Sequence, residues 1–176
     1  MVAQELAGTG MIRRQGFSLV ELIAGLVFIG IVAGLVSLGG FNVGKNAQQR
    51  AGMVSLTTAH AEGQRVASRN PLTVQSVTLQ SFPETEDMIN SMSVAGILFT
   101  SSVSEESSTV SVSVIDSTSV VYAVFAGGKC LYNYDRLDGV DGWAYSLGNC
   151  NATALSGSLL QNLSSNASDP TLVEVQ

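Results

Sequence analysis

The pattern of apolar and polar positions divides the chain into three segments. Residues 17–41 form a nearly continuous apolar run in which Glu21 is the one charged residue. A helix over this run would be about 37 Å long, enough to span a bilayer core of about 30 Å. The pattern therefore predicts a membrane-spanning helix at 17–41. Because a carboxylate in hydrocarbon is costly, Glu21 is also predicted to have a function.

Residues 42–70 form a polar, amphipathic second segment. Apolar residues recur in it at approximately the spacing of a helix face, at Ala47, Ala51, Val54, Ala59, Ala61, Val66 and Ala67. Asn70-Pro71 ends this pattern, because the residue before a proline disfavours the helical region. We therefore predict that one helix continues from the apolar run to Arg69, about 80 Å in all. An ordinary globular domain does not need a helix of that length.

Residues 71–176 form a third segment, rich in Ser, Thr and Val. Strand patterns occur at 72–79, 96–103, 109–114, 119–126 and 130–134. The alternation at 109–114 predicts a strand with one buried face, and Gly127-Gly128 predicts a hairpin turn between the last two strands. Pro83 with acidic residues after it predicts a short helix at 83–93. A long helix followed by strands predicts an α+β fold, with an antiparallel sheet packed on the second half of the helix.

Composition and charge argue against several classes of function. The net charge is −6 and the eight Lys and Arg residues are scattered, so we expect no nucleic-acid site. The single histidine, His60, excludes zinc sites built on several imidazoles. We interpret His60 as a surface or packing residue. Because the sequence carries no nucleotide or metalloprotease motif and no catalytic constellation at 71–176, we expect a protein that is not an enzyme.

Two basic residues, Arg13 and Arg14, directly precede the apolar run. Basic flanks stay on the cytoplasmic side of a membrane, so the residues after the run are expected outside. A secretory signal peptide has an apolar region of about 7–15 residues, and the run at 17–41 is too long for one. The sequence therefore predicts a single span with its N-terminus in the cytoplasm.

The segment RRQGFSLVELI at residues 13–23 resembles the processing site of type IV prepilins and the related pseudopilins. The resemblance implies that residues 1–16 are a leader peptide, shorter if translation starts at Met11. A prepilin peptidase would cleave between Gly16 and Phe17 and methylate the new amine of Phe17. Glu21 would then be the fifth residue of the mature chain, and residues 17–41 would form the filament core.

The resemblance also implies a role for Glu21 in assembly. Its carboxylate would meet the Phe17 amine of a neighbouring subunit, and pairing recovers much of the several kcal/mol that burying either charge alone costs. The implied partners are other pilin subunits, in a homo- or hetero-polymer, together with the prepilin peptidase and the pilus assembly platform. The implied location is the cytoplasmic (inner) membrane before assembly and an extracellular pilus afterwards.

Three functions fit this motif and span. The first is the structural subunit of a type IV pilus, a pilin. The second is a pseudopilin of a type II secretion or DNA-uptake machine, and the third is a membrane-anchored ectodomain of another function. Pilins commonly carry a disulfide-closed C-terminal loop and pseudopilins often lack it, so the cysteines described next favour a pilin.

Cys130 and Cys150 are the only cysteines in the chain. Such a pair on the outer side of a membrane, without CxxC spacing, favours a disulfide over a redox or metal site, and the resemblance strengthens this expectation. Within the loop 130–150 lie Asp135, Asp138 and Asp141. Their carboxylates could supply oxygen ligands to Ca²⁺, as in some pseudopilins, whereas the alternative is a solvated turn. We expect no other cofactor.

Overall fold

The computed structural model of the protein describes residues 19–74, 77–155 and 157–174. Side chains within the first helix are described at residues 23, 26 and 27 and from residue 43 onward. The chain forms two compact units, Met1–Phe41 and Asn42–Gln176. Helix α1 (Leu19–Arg69) contributes residues to both units.

The described part of the first unit is helical from Leu19 onward. Gly16 and Phe17, the predicted processing site, lie outside the described residues. Glu21 belongs to α1, but its side chain is not described.

Across the residues that the structure describes, no helix combines the length and the apolar composition needed to cross a membrane.

The second unit contains the end of α1 and a six-stranded sheet. Helix α1 ends at Arg69, directly before Asn70-Pro71, as the sequence predicts. The remaining elements are β1 (Pro71–Val74), β2 (Val77–Gln80), α2 (Thr85–Ser91), β3 (Leu98–Thr100), β4 (Thr109–Asp116), β5 (Ser119–Ala126), β6 (Lys129–Arg136), β7 (Asp141–Ser146), 3₁₀ turns at Ala152–Ala154 and Leu160–Asn162, and β8 (Thr171–Leu172). The predicted α+β class, one long helix followed by a largely antiparallel sheet, is confirmed.

The strands of the large sheet follow one another in chain order, β3-β4-β5-β6-β7-β8. Strands β4 to β7 pair antiparallel, whereas the short edge strands β3 and β8 pair parallel to their neighbours. The β5–β6 turn is formed by Gly127 and Gly128, with φ of 61° and 83°, a region that glycine adopts without steric cost. The predicted hairpin at Gly127-Gly128 is therefore confirmed.

Two of the sequence-based strand predictions need correction. The strand predicted at 72–79 is a separate hairpin, because Val74 on β1 pairs with Val77 on β2. The strand predicted at 96–103 is shorter, at Leu98–Thr100. The segment that the disulfide closes, 130–150, contains most of β6 and all of β7.

The two faces of the large sheet bury different apolar clusters. One face packs against α1, where Leu56, Ala59 and Val66 lie in the same core as Tyr122 and Val124 of β5. The opposite face carries Val121, Ala123, Cys130 and Tyr132 and is covered by the C-terminal segment, including Ala152, Leu155 and Val173. Successive residues of a strand point to opposite faces, so β5 and β6 contribute to both clusters.

Candidate functional site

Four polar residues meet between α1 and the sheet, and we name them the His60 cluster: His60 and Gln64 of α1, Asp135 of β6 and Asp141 of β7. His60 and Gln64 are four residues apart, so they share a face of the helix. Asp135 and Asp141 are direct partners in the β6–β7 register and therefore lie on the same face of the sheet. Helical spacing and strand register together bring the four side chains to one place.

Short contacts hold the buried carboxylate of Asp135 in this cluster. The amide Nε2 of Gln64 donates to both of its oxygens, at 2.7 Å to Oδ1 and 2.9 Å to Oδ2. The imidazole Nε2 of His60 lies 3.7 Å from Oδ2. One ligand atom each from His60, Asp135 and Asp141 can be chosen such that all three lie within 4.8 Å of one another. This geometry suits a shared proton or a shared cation.

The two carboxylates of the His60 cluster have little positive charge near them. Asp135 has no solvent exposure, and burial raises the pKa of its carboxyl to about 6. The nearby His60 lowers this pKa, whereas the charge of Asp141 raises it further. Within the described ranges, no lysine or arginine forms a salt bridge with Asp135 or Asp141. Among the described residues, His60 is therefore the one basic side chain that forms an ion pair with Asp135.

A buried hydroxyl adjoins the cluster. Tyr122 of β5 is fully buried, and its Oη has no hydrogen-bond partner among the described residues. Burial, and secondarily the charge of Asp135, raises the pKa of Tyr122 well above its usual value. The hydroxyl packs against Gly63 of α1, where any Cβ would overlap it. The glycine beside Gln64 therefore makes room for an unsatisfied polar group on the helix face that carries His60.

Asn133 lies two residues before Asp135 on the same face of β6. It is a second buried polar residue whose side chain lacks a hydrogen-bond partner for one of its atoms. Its Nδ2 donates to the carbonyl oxygen of Gly142 at 3.5 Å, but its Oδ1 accepts no hydrogen bond from the described residues. Buried polar atoms of this kind are few in folded proteins and call for a physical explanation.

The structure brings together two of the three residues predicted as calcium ligands. Asp135 and Asp141 belong to the His60 cluster, whereas Asp138 pairs with Arg136, its Oδ2 lying 2.7 Å from Nη2. The residue that joins Asp135 and Asp141 in place of Asp138 is His60. Its interpretation as a surface or packing residue missed the contact with Asp135, because that contact depends on how the helix and sheet are aligned.

The predicted disulfide between Cys130 and Cys150 is confirmed, with an S–S distance of 2.04 Å. Cys130 lies on β6, and Cys150 follows β7 by four residues. Both sulfurs belong to the apolar cluster on the face of the sheet opposite α1. The bond therefore ties the C-terminal segment to the sheet without touching the His60 cluster.

An exposed apolar surface lies on the helix of the first unit. Ile23, Leu26 and Val27 are 51%, 62% and 57% exposed. Their spacing of three and four residues places them on one helix face.

Comparison of the chain with protein-family models, with curated proteins and with solved structures gives no match.

Proposed function

We propose that the protein is a pilin, the structural subunit of a type IV pilus. It is processed between Gly16 and Phe17 and polymerises through its N-terminal helix into an extracellular filament. The observation that carries the proposal is the segment RRQGFSLVELI at 13–23, which leads into the apolar run of the sequence at 17–41. The role is structural and requires no catalytic site.

The exposed apolar face of α1 supports this role. Ile23, Leu26 and Val27 expose more than half of their surface. Contiguous apolar surface on a helix marks a site that lipid or another protein covers. We propose lipid before assembly and neighbouring subunits afterwards. We also propose that residues 17–41 cross the membrane before assembly, because the sequence carries no charge between Leu22 and Phe41.

The same assembly gives Glu21 its function. A carboxylate inside the filament core is stable only beside a cation, and the amine of Phe17 on an adjacent subunit supplies one. A subunit that entered the filament out of axial register would leave both charges buried and unpaired. The ion pair therefore selects the correct register, while the apolar helix contributes most of the packing energy.

The second unit is suited to the outside of a filament. The Cys130–Cys150 disulfide forms in oxidising compartments, which agrees with export of this unit from the cytoplasm. It also favours a pilin over a pseudopilin, because it closes a C-terminal segment of the kind that the resemblance implies. The expected partners are the prepilin peptidase, the assembly platform and further pilin subunits.

Mass spectrometry of the protein from its native membrane tests the proposal. We expect a mature N-terminus at Phe17 carrying one added methyl group, and recovery of the same species in sheared extracellular fibres. The Gly16→Glu variant should insert but stay unprocessed. An uncut wild-type chain, or an N-terminus elsewhere, would refute the assignment. A processed chain confined to the cell envelope would favour a pseudopilin.

A further inference from the structure

We propose that His60, Asp135 and Asp141 bind a divalent first-row transition-metal cation, with Zn²⁺ the best suited, which joins α1 to strands β6 and β7. This inference concerns the second unit and does not depend on the pilus proposal. It differs from the calcium site predicted from the sequence in one ligand, because His60 takes the place of Asp138.

The chemistry of the donor set selects the class of cation. An imidazole nitrogen with two carboxylates suits zinc and its neighbours, whereas Ca²⁺ and Mg²⁺ prefer oxygen ligands throughout. Ligand atoms about 2.1 Å from a tetrahedral ion lie about 3.4 Å apart. The 3.7 Å between His60 Nε2 and Asp135 Oδ2 is close to this separation. Asp141 is exposed, and a carboxylate oxygen of it lies within 4.8 Å of the other two ligand atoms, so it can complete the set.

Charge and hydrogen bonding favour the same conclusion. The fold holds two carboxylates together, one of them fully buried, and a divalent cation would neutralise both. The two hydrogen bonds from Gln64 fix the orientation of Asp135, whose Oδ2 lies 3.7 Å from His60 Nε2. Carboxylates that bind metals are usually held in this way by hydrogen bonds from neighbouring residues.

The unsatisfied buried hydroxyl of Tyr122 is an independent observation that indicates a bound group. It lies against Gly63, on the helix face that carries His60 and Gln64, and the charge of Asp135 acts on it. A water completing the coordination of the metal beside Asp135 would supply the missing partner. The site is also accessible, because His60 is 23% exposed and Asp141 lies at the surface.

The test uses the full chain, purified in detergent without a polyhistidine tag, treated with chelator and then dialysed. His60 is the only histidine, so a tag-free protein offers no other imidazole. Calorimetric titration with Zn²⁺ should show one ion per chain. The variants His60→Gln and Asp141→Asn should each weaken binding at least about tenfold. Asp138→Asn is the matched control in the same region and should bind as the parent does.

A second measurement identifies the ligands directly. Co²⁺ in place of Zn²⁺ should give visible absorption bands, and His60→Gln should shift or abolish them. Circular dichroism confirms that each variant is folded. Three outcomes would overturn the proposal: no Zn²⁺ binding tighter than about 1 mM, binding that His60→Gln leaves unchanged, or a preference for Ca²⁺ that depends on Asp138.

Discussion

The hydroxyl of Tyr122 on β5 lies against the backbone of Gly63 on α1, at a distance that leaves no room for a Cβ. The second half of the helix can therefore approach the sheet closely only because residue 63 is glycine. Gly52 makes a similar approach eleven residues earlier, where a Cβ would overlap that of Ala126. Glycine weakens a helix interior by about 1 kcal/mol relative to alanine, and here close packing offsets that cost.

Gly63→Ala should destabilise the second unit by about 1–3 kcal/mol, because the new methyl group displaces Tyr122 from a packed core. Equilibrium denaturation of the chain measures this change. Gly44→Ala is the matched control, since nothing lies near a Cβ at that helical position and the substitution should be neutral or stabilising. Equal effects of the two substitutions would show that the core adjusts to the methyl group without strain.

Glu62→Gln should reduce stability by about 0.5–1 kcal/mol at pH 7 and by little at pH 3. Hydrogen bonds from Arg65 hold the pKa of Glu62 below its usual value, although partial burial opposes them; the backbone N–H of Ser93 also donates to it. A lowered folded-state pKa gives stability that is present above the unfolded pKa of about 4.5 and is lost as the pH falls through the folded value.

The measurement is urea denaturation of parent and variant across this pH range. Glu105→Gln is the control, because Glu105 is exposed and forms no salt bridge among the described residues. If the Glu62→Gln difference stayed constant from pH 7 to pH 3, the ionised carboxylate would not be the source of the stabilisation.

Replacing Cys130 and Cys150 together by serine should cost about 3 kcal/mol, since the bond closes a segment of about twenty residues in the unfolded chain. Denaturation of parent and double variant measures the loss. In the parent, thiol labelling under denaturing conditions should find no free cysteine until a reductant is added. Two reactive thiols in freshly isolated protein would mean that the bond does not form in the cell.

The fold was predictable wherever local chemistry decides the structure. Asn70-Pro71 terminates α1 for a reason confined to two residues, and the alternation at 109–114 marks β4 by itself. The sequence does not predict β7, because an aspartate followed by a glycine is typical of a turn, although the spacing of Trp143 and Tyr145 is a strand signal. The two-residue edge strand β8 has no comparable pattern.

The sequence does not predict the His60 cluster, for a different reason. His60 and Asp135 are far apart in the chain, and their contact depends on the axial position of α1 on the sheet. Gly52 and Gly63 set that position through close packing, and no motif reports it. Asp135 and Asp141 can be grouped by their spacing, but Asp138 lies in the turn between β6 and β7 and pairs with Arg136 instead.

The final prediction concerns Glu21 and the assembly step. Glu21→Ala should insert in the membrane at least as well as the parent, because removing a charge from hydrocarbon lowers the free-energy cost of insertion. On insertion scales this cost is about 2.5 kcal/mol or more for the costliest side chains. Fibres should disappear nevertheless, since each added subunit would bury the Phe17 amine of a neighbour without a partner. Glu21→Gln keeps the shape but loses the charge, and it should also assemble poorly.

The measurement is the ratio of sheared extracellular fibre to membrane pool for both variants and the parent, with cleavage before Phe17 verified in each. Gly44→Ala serves as a control, because it alters α1 at an exposed position outside the apolar run. Loss of fibre together with loss of processing would point to the peptidase rather than to assembly. An unpaired buried amine should cost several kcal/mol at every subunit added. A normal fibre yield from fully processed Glu21→Ala would therefore show that assembly does not require the ion pair.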